Sequence, residues 1–192
     1  GCGLAAWLIL GALTDLRLKS GFGNLPPSQA LRRLVGLPKS MFGTAAAHLG
    51  LGLTLLGIVG TISFQQERIV EIKPGETVEI AGYTLLFEGL RPFKGPNFDE
   101  EQGTFRIRSS GGSEVGSVVS AKRFYPARRM PTTEAGIRTM GFSQLYVSLG
   151  DQTETGGIVA RIWWKPLVTL IWLGGLVMMA GGAISLFDRR LR

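Results

Sequence analysis

The chain has 192 residues, 45% of them apolar, with 28 glycines, a mean hydropathy of +0.22 and a formal net charge of +7. The excess of positive charge does not mark a nucleic-acid binder. Between Gln65 and Lys165 there are 13 Lys/Arg against 12 Asp/Glu, so that stretch is nearly neutral. The surplus lies in Arg17, Lys19, Arg32, Arg33 and Lys39, and in Arg189, Arg190 and Arg192. Both groups flank long uncharged runs, where cytosolic loops of membrane proteins concentrate Lys and Arg. Cys2 is the single cysteine, so no disulfide can form within the chain.

In chain order, Gly1 to Thr14 is apolar and uncharged but short of a full span, and it lacks the pattern of a signal peptide. Residues 1–16 read as the end of a truncated transmembrane helix, so a C-terminal fragment of a longer polytopic protein is expected. Residues 17–39 form a cytosolic loop. Within it Pro26-Pro27 and a Ser28 N-cap open a short interfacial helix with Leu31, Leu34 and Val35 on one face and Gly36 at its end. Partner docking is the other use of such a helix. Ser40 to Gln66 carries no charge, and residues 40–64 are predicted as a transmembrane helix holding His48.

The period then changes. RIVEI, KPGE and TVEIAGYTLLFEG read as strand, type II turn at Pro74-Gly75, and strand. TFRIR, VGSVVSAKRFY and SQLYVSLG add alternating runs, so residues 65–163 form an extracytoplasmic domain of five to seven strands, a small sandwich or barrel. TTEAGIRTM suggests one helical turn capped by Thr132 or Thr133, with Glu134 in its first turn. Residues 164–187 are the next transmembrane helix. Pro166 is its N1 residue and Trp163-Trp164-Lys165 the interfacial belt, while Gly174-Gly175 and Gly181-Gly182 suit close helix packing. Residues 188–192 are a basic cytosolic tail. The expected fold is therefore α-helical and membrane-bound, with three transmembrane segments, the first truncated, and an inserted all-β domain.

His48 is the single histidine, and three of its helical neighbours Thr44, Ala45, Leu51 and Gly52 are small. Small residues beside a neutral imidazole leave room for a flat group such as haem. Hydrogen-bonded helix packing and proton relay are the other readings of a transmembrane histidine. Lys122, Arg123, Arg128 and Arg129 around FYPA could meet propionates or an acidic partner, but a solvated face explains them as well. Asp99, Glu100 and Glu101 read as loop charges rather than a cation site. G-x-S-x-G, HExxH, P-loop and C-x-x-C-H patterns are all missing, so no catalytic residue is predicted and the chain cannot itself carry covalent haem c.

SMFGTAAAHLGLGLTLLGIVG, AKRFY, PTTEAGI and IWWKPLVTLIWLGGLVMMAGGAISLFDRRLR, in that order, resemble the CcmF family of bacterial haem lyases for cytochrome c maturation. The resemblance implies an inner-membrane location with residues 65–163 in the periplasm. It also implies a b-type haem whose iron takes His48 as one axial ligand, the second lying outside this sequence. The partners it implies are a CcmH-type thioreductive apocytochrome-handling protein, a CcmE-type haem chaperone and apocytochrome c. The chemistry implied is thioether formation between haem vinyl groups and the thiols of a C-x-x-C-H motif, with the b haem passing electrons to the haem being attached. This fragment is not expected to be active alone. The alternatives are a paralogue serving a specialised cytochrome of the nitrite-reductase type and a non-catalytic membrane-anchored scaffold. A respiratory cytochrome b subunit would carry more than one histidine.

Overall fold

A computed structural model describes residues 1–127 and 129–188 and divides the chain into two compact units, residues 1–63 with 167–192, and residues 64–166. Arg128 of the basic group and the tail residues Arg189, Arg190 and Arg192 lie outside the described residues.

The first unit is helical, with α1 (Cys2–Ser20), α2 (Pro27–Val35), α3 (Lys39–Phe64) and α4 (Thr169–Leu186). At 1.5 Å per residue, the 26 residues of α3 and the 18 of α4 give lengths of about 39 and about 27 Å. Both are long and apolar enough to cross a membrane. The helix of α1 continues past the expected end near Leu16, carrying Asp15, Arg17 and Lys19 in its last turns. In α2, Pro27 rather than Ser28 opens the helix: Pro26 is the N-cap residue and no side chain caps the end. Proline already has the backbone angle of the first helical turn, which places the N-cap two residues before the expected Ser28.

Helix α3 holds together despite five glycines because several of them are where another helix touches it. Gly43, Gly50 and Gly57 recur every seventh residue. A Cβ on Gly43 would lie 2.6 Å from the Gly181 carbonyl oxygen, one on Gly50 would lie 2.5 Å from that of Gly174, and one on Gly57 would lie 3.0 Å from that of Leu167. The pairing is antiparallel, backbone against backbone. Van der Waals contact at such range is the main attraction between helices in lipid, where the hydrophobic effect is absent. The sequence offered two glycine pairs on α4 for packing, and only the first of each pair serves. Gly174 and Gly181 meet α3, whereas Cβ atoms on Gly175 and Gly182 would meet nothing within 4 Å.

The seam is closed at one end by Asp188, buried at 5% exposure, whose carboxylate accepts the Ser40 amide hydrogen at 2.8 Å. A carboxylate there satisfies one of the otherwise unpaired amides at the start of α3 and meets the positive end of its dipole. Asp188 was counted with the tail on sequence grounds and is instead a cap supplied from the end of α4. At the other end, α4 starts at Thr169, not Pro166. Leu167 takes a left-handed conformation (φ 57°) and lays its side chain across Gly60.

The second unit is a β-sandwich. One sheet has the order β1 (Gln66–Ile72), β9 (Ile158–Lys165), β8 (Ser143–Gln152), β7 (Gly136–Met140). The other has the order β2 (Thr77–Ile80), β3 (Tyr83–Lys94), β4 (Asp99–Ser109), β5 (Glu114–Tyr125), β6 (Met130–Glu134). Every pairing is antiparallel. The core is built from alternate residues: Leu85 and Phe87, Phe105 and Ile107, Leu145, Val147 and Leu149, Ile158, Ala160 and Ile162. This is the period-2 burial that sheet-on-sheet packing requires. The Phe87 and Phe105 rings meet at 4.9 Å, and Trp164 lies 5.1 Å from Tyr83. Trp163 sits on the other face of β9, against Tyr146 and under the Arg161 guanidinium.

Among the described residues, nine strands replace the five to seven expected. TVEIAGYTLLFEG is two strands, β2 and β3, joined by a two-residue hairpin at Ala81 (φ 50°) and Gly82 (φ 79°). Positive φ at both central residues is the type I′ turn whose twist suits a tight hairpin. The type II turn is found at Pro74-Gly75, closed by a Glu76 amide donating to the Lys73 carbonyl at 3.0 Å. No helical turn forms at TTEAGIRTM. Those residues belong to β6, paired with β5, and β7, paired with β8, because ladder bonds to two neighbours outweigh one isolated turn.

Gly50→Val should lower stability by about 1–3 kcal/mol, toward the upper end because the new methyl groups meet backbone that cannot rotate away. Gly175→Val should be neutral. Thermal unfolding of the two variants in detergent checks the pair.

Candidate cofactor site around His48

Helix α1 runs antiparallel along the other side of α3. A Cβ on Gly52 would meet the Ala5 carbonyl oxygen at 3.0 Å, and Ala5 is completely buried. The seam to α4 and the contact with α1 therefore use different faces of α3, and His48 belongs to the second. It lines a groove of about 270 Å³ together with Thr44 and Ala45 of α3 and Trp7, Leu8, Gly11, Ala12 and Asp15 of α1. The ring is exposed along the groove, and among the described residues it makes no hydrogen bond. Thr44 beside it turns its hydroxyl back to the Ser40 carbonyl at 3.0 Å. The Asp15 carboxylate is engaged by Lys19 at 2.7 Å, one helical turn on.

The groove thus offers one unclaimed imidazole, a floor of Gly11, Ala12 and Ala45, and one broad aromatic wall, Trp7. That donor set suits a flat group bound through a single nitrogen. It does not suit a cage for a bare ion: among the described residues, no three of His, Cys, Asp and Glu stand close enough to hold one. Cys2 is exposed and free. Trp7, Gly11 and Asp15 had no signal in sequence. Their part in the groove comes only from the pairing of α1 with α3.

The other sequence candidates that the structure describes lie in the sandwich unit. Lys122 is ion-paired to Asp151. Arg123 donates from Nε to Glu100 at 2.8 Å and lies 3.9 Å over the Phe98 ring. Arg129 sits in a left-handed turn. Asp99, Glu100 and Glu101 are in β4 and not in a loop, since each faces a partner on β3 and on β5. Glu101 accepts a hydrogen bond from Gln152 at 2.9 Å. Glu100, 7% exposed, accepts one from Gln102 at 2.6 Å as well as that from Arg123. Burial pushes its carboxyl up, but the Gln102 amide and the Arg123 guanidinium outweigh it and hold the group below its usual range.

The family described as CcmF C-terminal beta-sandwich matches residues 63–166, more than half of the chain. The chain belongs to the CcmF family. That match and the structural unit of residues 64–166 begin within one residue of each other and end at the same residue. The chain is 61% identical over all its 192 residues to the cytochrome c-type biogenesis protein CycK of Rhizobium meliloti strain 1021, covering 28% of that protein. It is 36% identical over 190 residues to the cytochrome c-type biogenesis protein CcmF of Pseudomonas aeruginosa, again 28% of its length. A solved structure, cytochrome c heme lyase CcmF, superposes with a TM-score of 0.65 at 17% identity over 93% of this chain and 34% of the other, a likeness of fold. The chain thus spans little more than a quarter of the curated CcmF and CycK relatives.

Because the Glu100 carboxyl is held below its unfolded value, its contribution to stability is fully present above that value and disappears as the pH falls through the folded one. Glu100→Gln should lower Tm by several degrees at pH 7, with the gap to the parent protein closing below about pH 4, where an unfolded glutamate titrates. Melting curves from pH 7 to pH 3 provide the check.

Proposed function

We propose that this chain is the C-terminal part of a membrane haem lyase of cytochrome c maturation, and that His48 is one axial ligand of a b-type haem held within its helices. The observation that carries the reading is the position of His48: a lone imidazole, without a hydrogen bond among the described residues, on a groove between two helices that Gly11, Ala12 and Ala45 keep open. Family membership and the names of the relatives supply the reaction context.

In this reading α3 and α4 cross the inner membrane, α1 ends on the cytosolic side with α2 at the interface, and the sandwich stands in the periplasm. The charge pattern supports it. Arg17, Lys19, Arg32, Arg33 and Lys39 collect at the end of the helical unit where α1 finishes and α3 begins, as positive-inside topology requires. His48 lies nine residues into α3, within the apolar stretch, where an imidazole must find an acceptor, a donor or a metal. A bound haem would supply one-electron chemistry there. The residues of the chain would do the rest. His48 keeps one ring nitrogen free for ligation, Gly11, Ala12 and Ala45 leave the approach open, and Trp7 walls one side. The Asp15–Lys19 pair keeps the nearest carboxylate neutralised. A CcmH-type protein, a CcmE-type haem chaperone and apocytochrome c are the proposed partners on the periplasmic side.

The full-length protein should show a bis-histidine b-type absorption spectrum, and His48→Ala should abolish it with cytochrome c assembly in the cell falling at least tenfold, a loss of about 1.4 kcal/mol or more. Unchanged haem content in that variant would leave an anchored scaffold.

A further inference from the structure

A second binding feature lies at the α1–α2 connection, apart from His48. We propose that this turn holds the headgroup of an anionic phospholipid, a site that requires α3 and α4 to cross the membrane but does not depend on haem.

The turn is built rather than loose. Gly21 ends α1 in the left-handed conformation (φ 79°), which any side chain would strain. Its amide and that of Phe22 both donate to the Arg17 carbonyl, at 3.1 and 3.2 Å, and the Ser20 hydroxyl donates to the same oxygen at 2.9 Å. The amides of Asn24 and Leu25 then close back on the Gly21 carbonyl, each at 3.1 Å. Ser20 is completely buried beneath.

Two guanidinium groups rest on this turn from opposite sides in sequence. A Cβ on Gly23 would lie 3.4 Å from Arg17 Nη2, and one on Gly21 would lie 3.7 Å from Arg33 Nη1. Among the described residues neither arginine has a carboxylate partner, and Asp15, the nearest in sequence, is taken by Lys19. Around them Leu18, Leu31 and Val35 are 70%, 55% and 77% exposed, and Phe22 is 38% exposed. Exposed leucines beside unpaired arginines are costly in water and suited to the boundary between headgroups and acyl chains. Forked N–H donors fit the oxygens of a phosphate. The two demands, a phosphate for the guanidiniums and a hydrocarbon for the leucines, are met together by a lipid and not by a free anion. A zwitterionic lipid carries the same phosphate but lacks the net negative charge that the unpaired cations select.

The test is native mass spectrometry of the full-length protein in detergent, titrated with phosphatidylglycerol or phosphatidylcholine. Two cations near the surface predict that phosphatidylglycerol binds about 30-fold more tightly, at about 1 kcal/mol for each. Arg17→Gln and Arg33→Gln should each remove about a five-fold share of that preference, and the double variant should abolish it. Arg108→Gln, in the sandwich, should leave it intact. Millimolar inorganic phosphate should not displace the lipid. Equal binding of the two lipids by the parent protein overturns the proposal without reference to any variant. So does a preference that survives the double substitution, one lost equally in Arg108→Gln, or displacement by inorganic phosphate alone.

Discussion

The helical unit depends on a single constraint, that α3 must touch two helices at once across backbone atoms. Gly43, Gly50 and Gly57 bring it against α4, while Gly52 and Ala45 bring it against α1. No other residue types permit both. A helix carrying this many glycines is a poor helix on propensity alone, by roughly 1 kcal/mol for each relative to alanine. It is an effective one when several of those positions become contact surface. The orientation of His48 is a consequence. Once the seven-residue seam is turned to α4, the imidazole can only face the groove beside α1.

The sandwich follows a different logic, in which side chains and not backbone fill the interface. Its alternating aliphatic and aromatic residues interlock between the two sheets, and at one end the five-stranded sheet carries Glu100 and Arg123 side by side on neighbouring strands. Each stands out in sequence only within its own charged group, and nothing links the two, since they are 23 positions apart. They become a pair only through the β4–β5 register, which also brings Phe98 beneath the guanidinium.

What could be read in the sequence was whatever local pattern controls. The apolar runs of α3 and α4, the period-2 strands and the Pro74-Gly75 turn all follow from neighbours a few residues apart. What could not be read was decided at long range. Ala81 does not look like a left-handed residue, and it becomes one because β2 and β3 need a two-residue turn. The capping pattern at Thr132 to Glu134 is real as a local preference and loses to the ladder bonds that pair β6 with β5. Asp188 resembles a tail charge until the end of α4 returns to the start of α3. For the candidate site, His48 stood out as a lone imidazole among small residues, whereas the α1 half of its groove had no sequence signature.

The central claim is that the groove delivers the ring of residue 48, and nothing else, to a metal. The most direct measurement is chemical rescue in the full-length protein. His48→Gly leaves a space that free imidazole can enter, so the account predicts that the b-type absorption is lost in the variant and returns, in proportion to occupancy, when imidazole is added. A spectrum that persists without the ring, or that imidazole leaves unchanged after its loss, would contradict it.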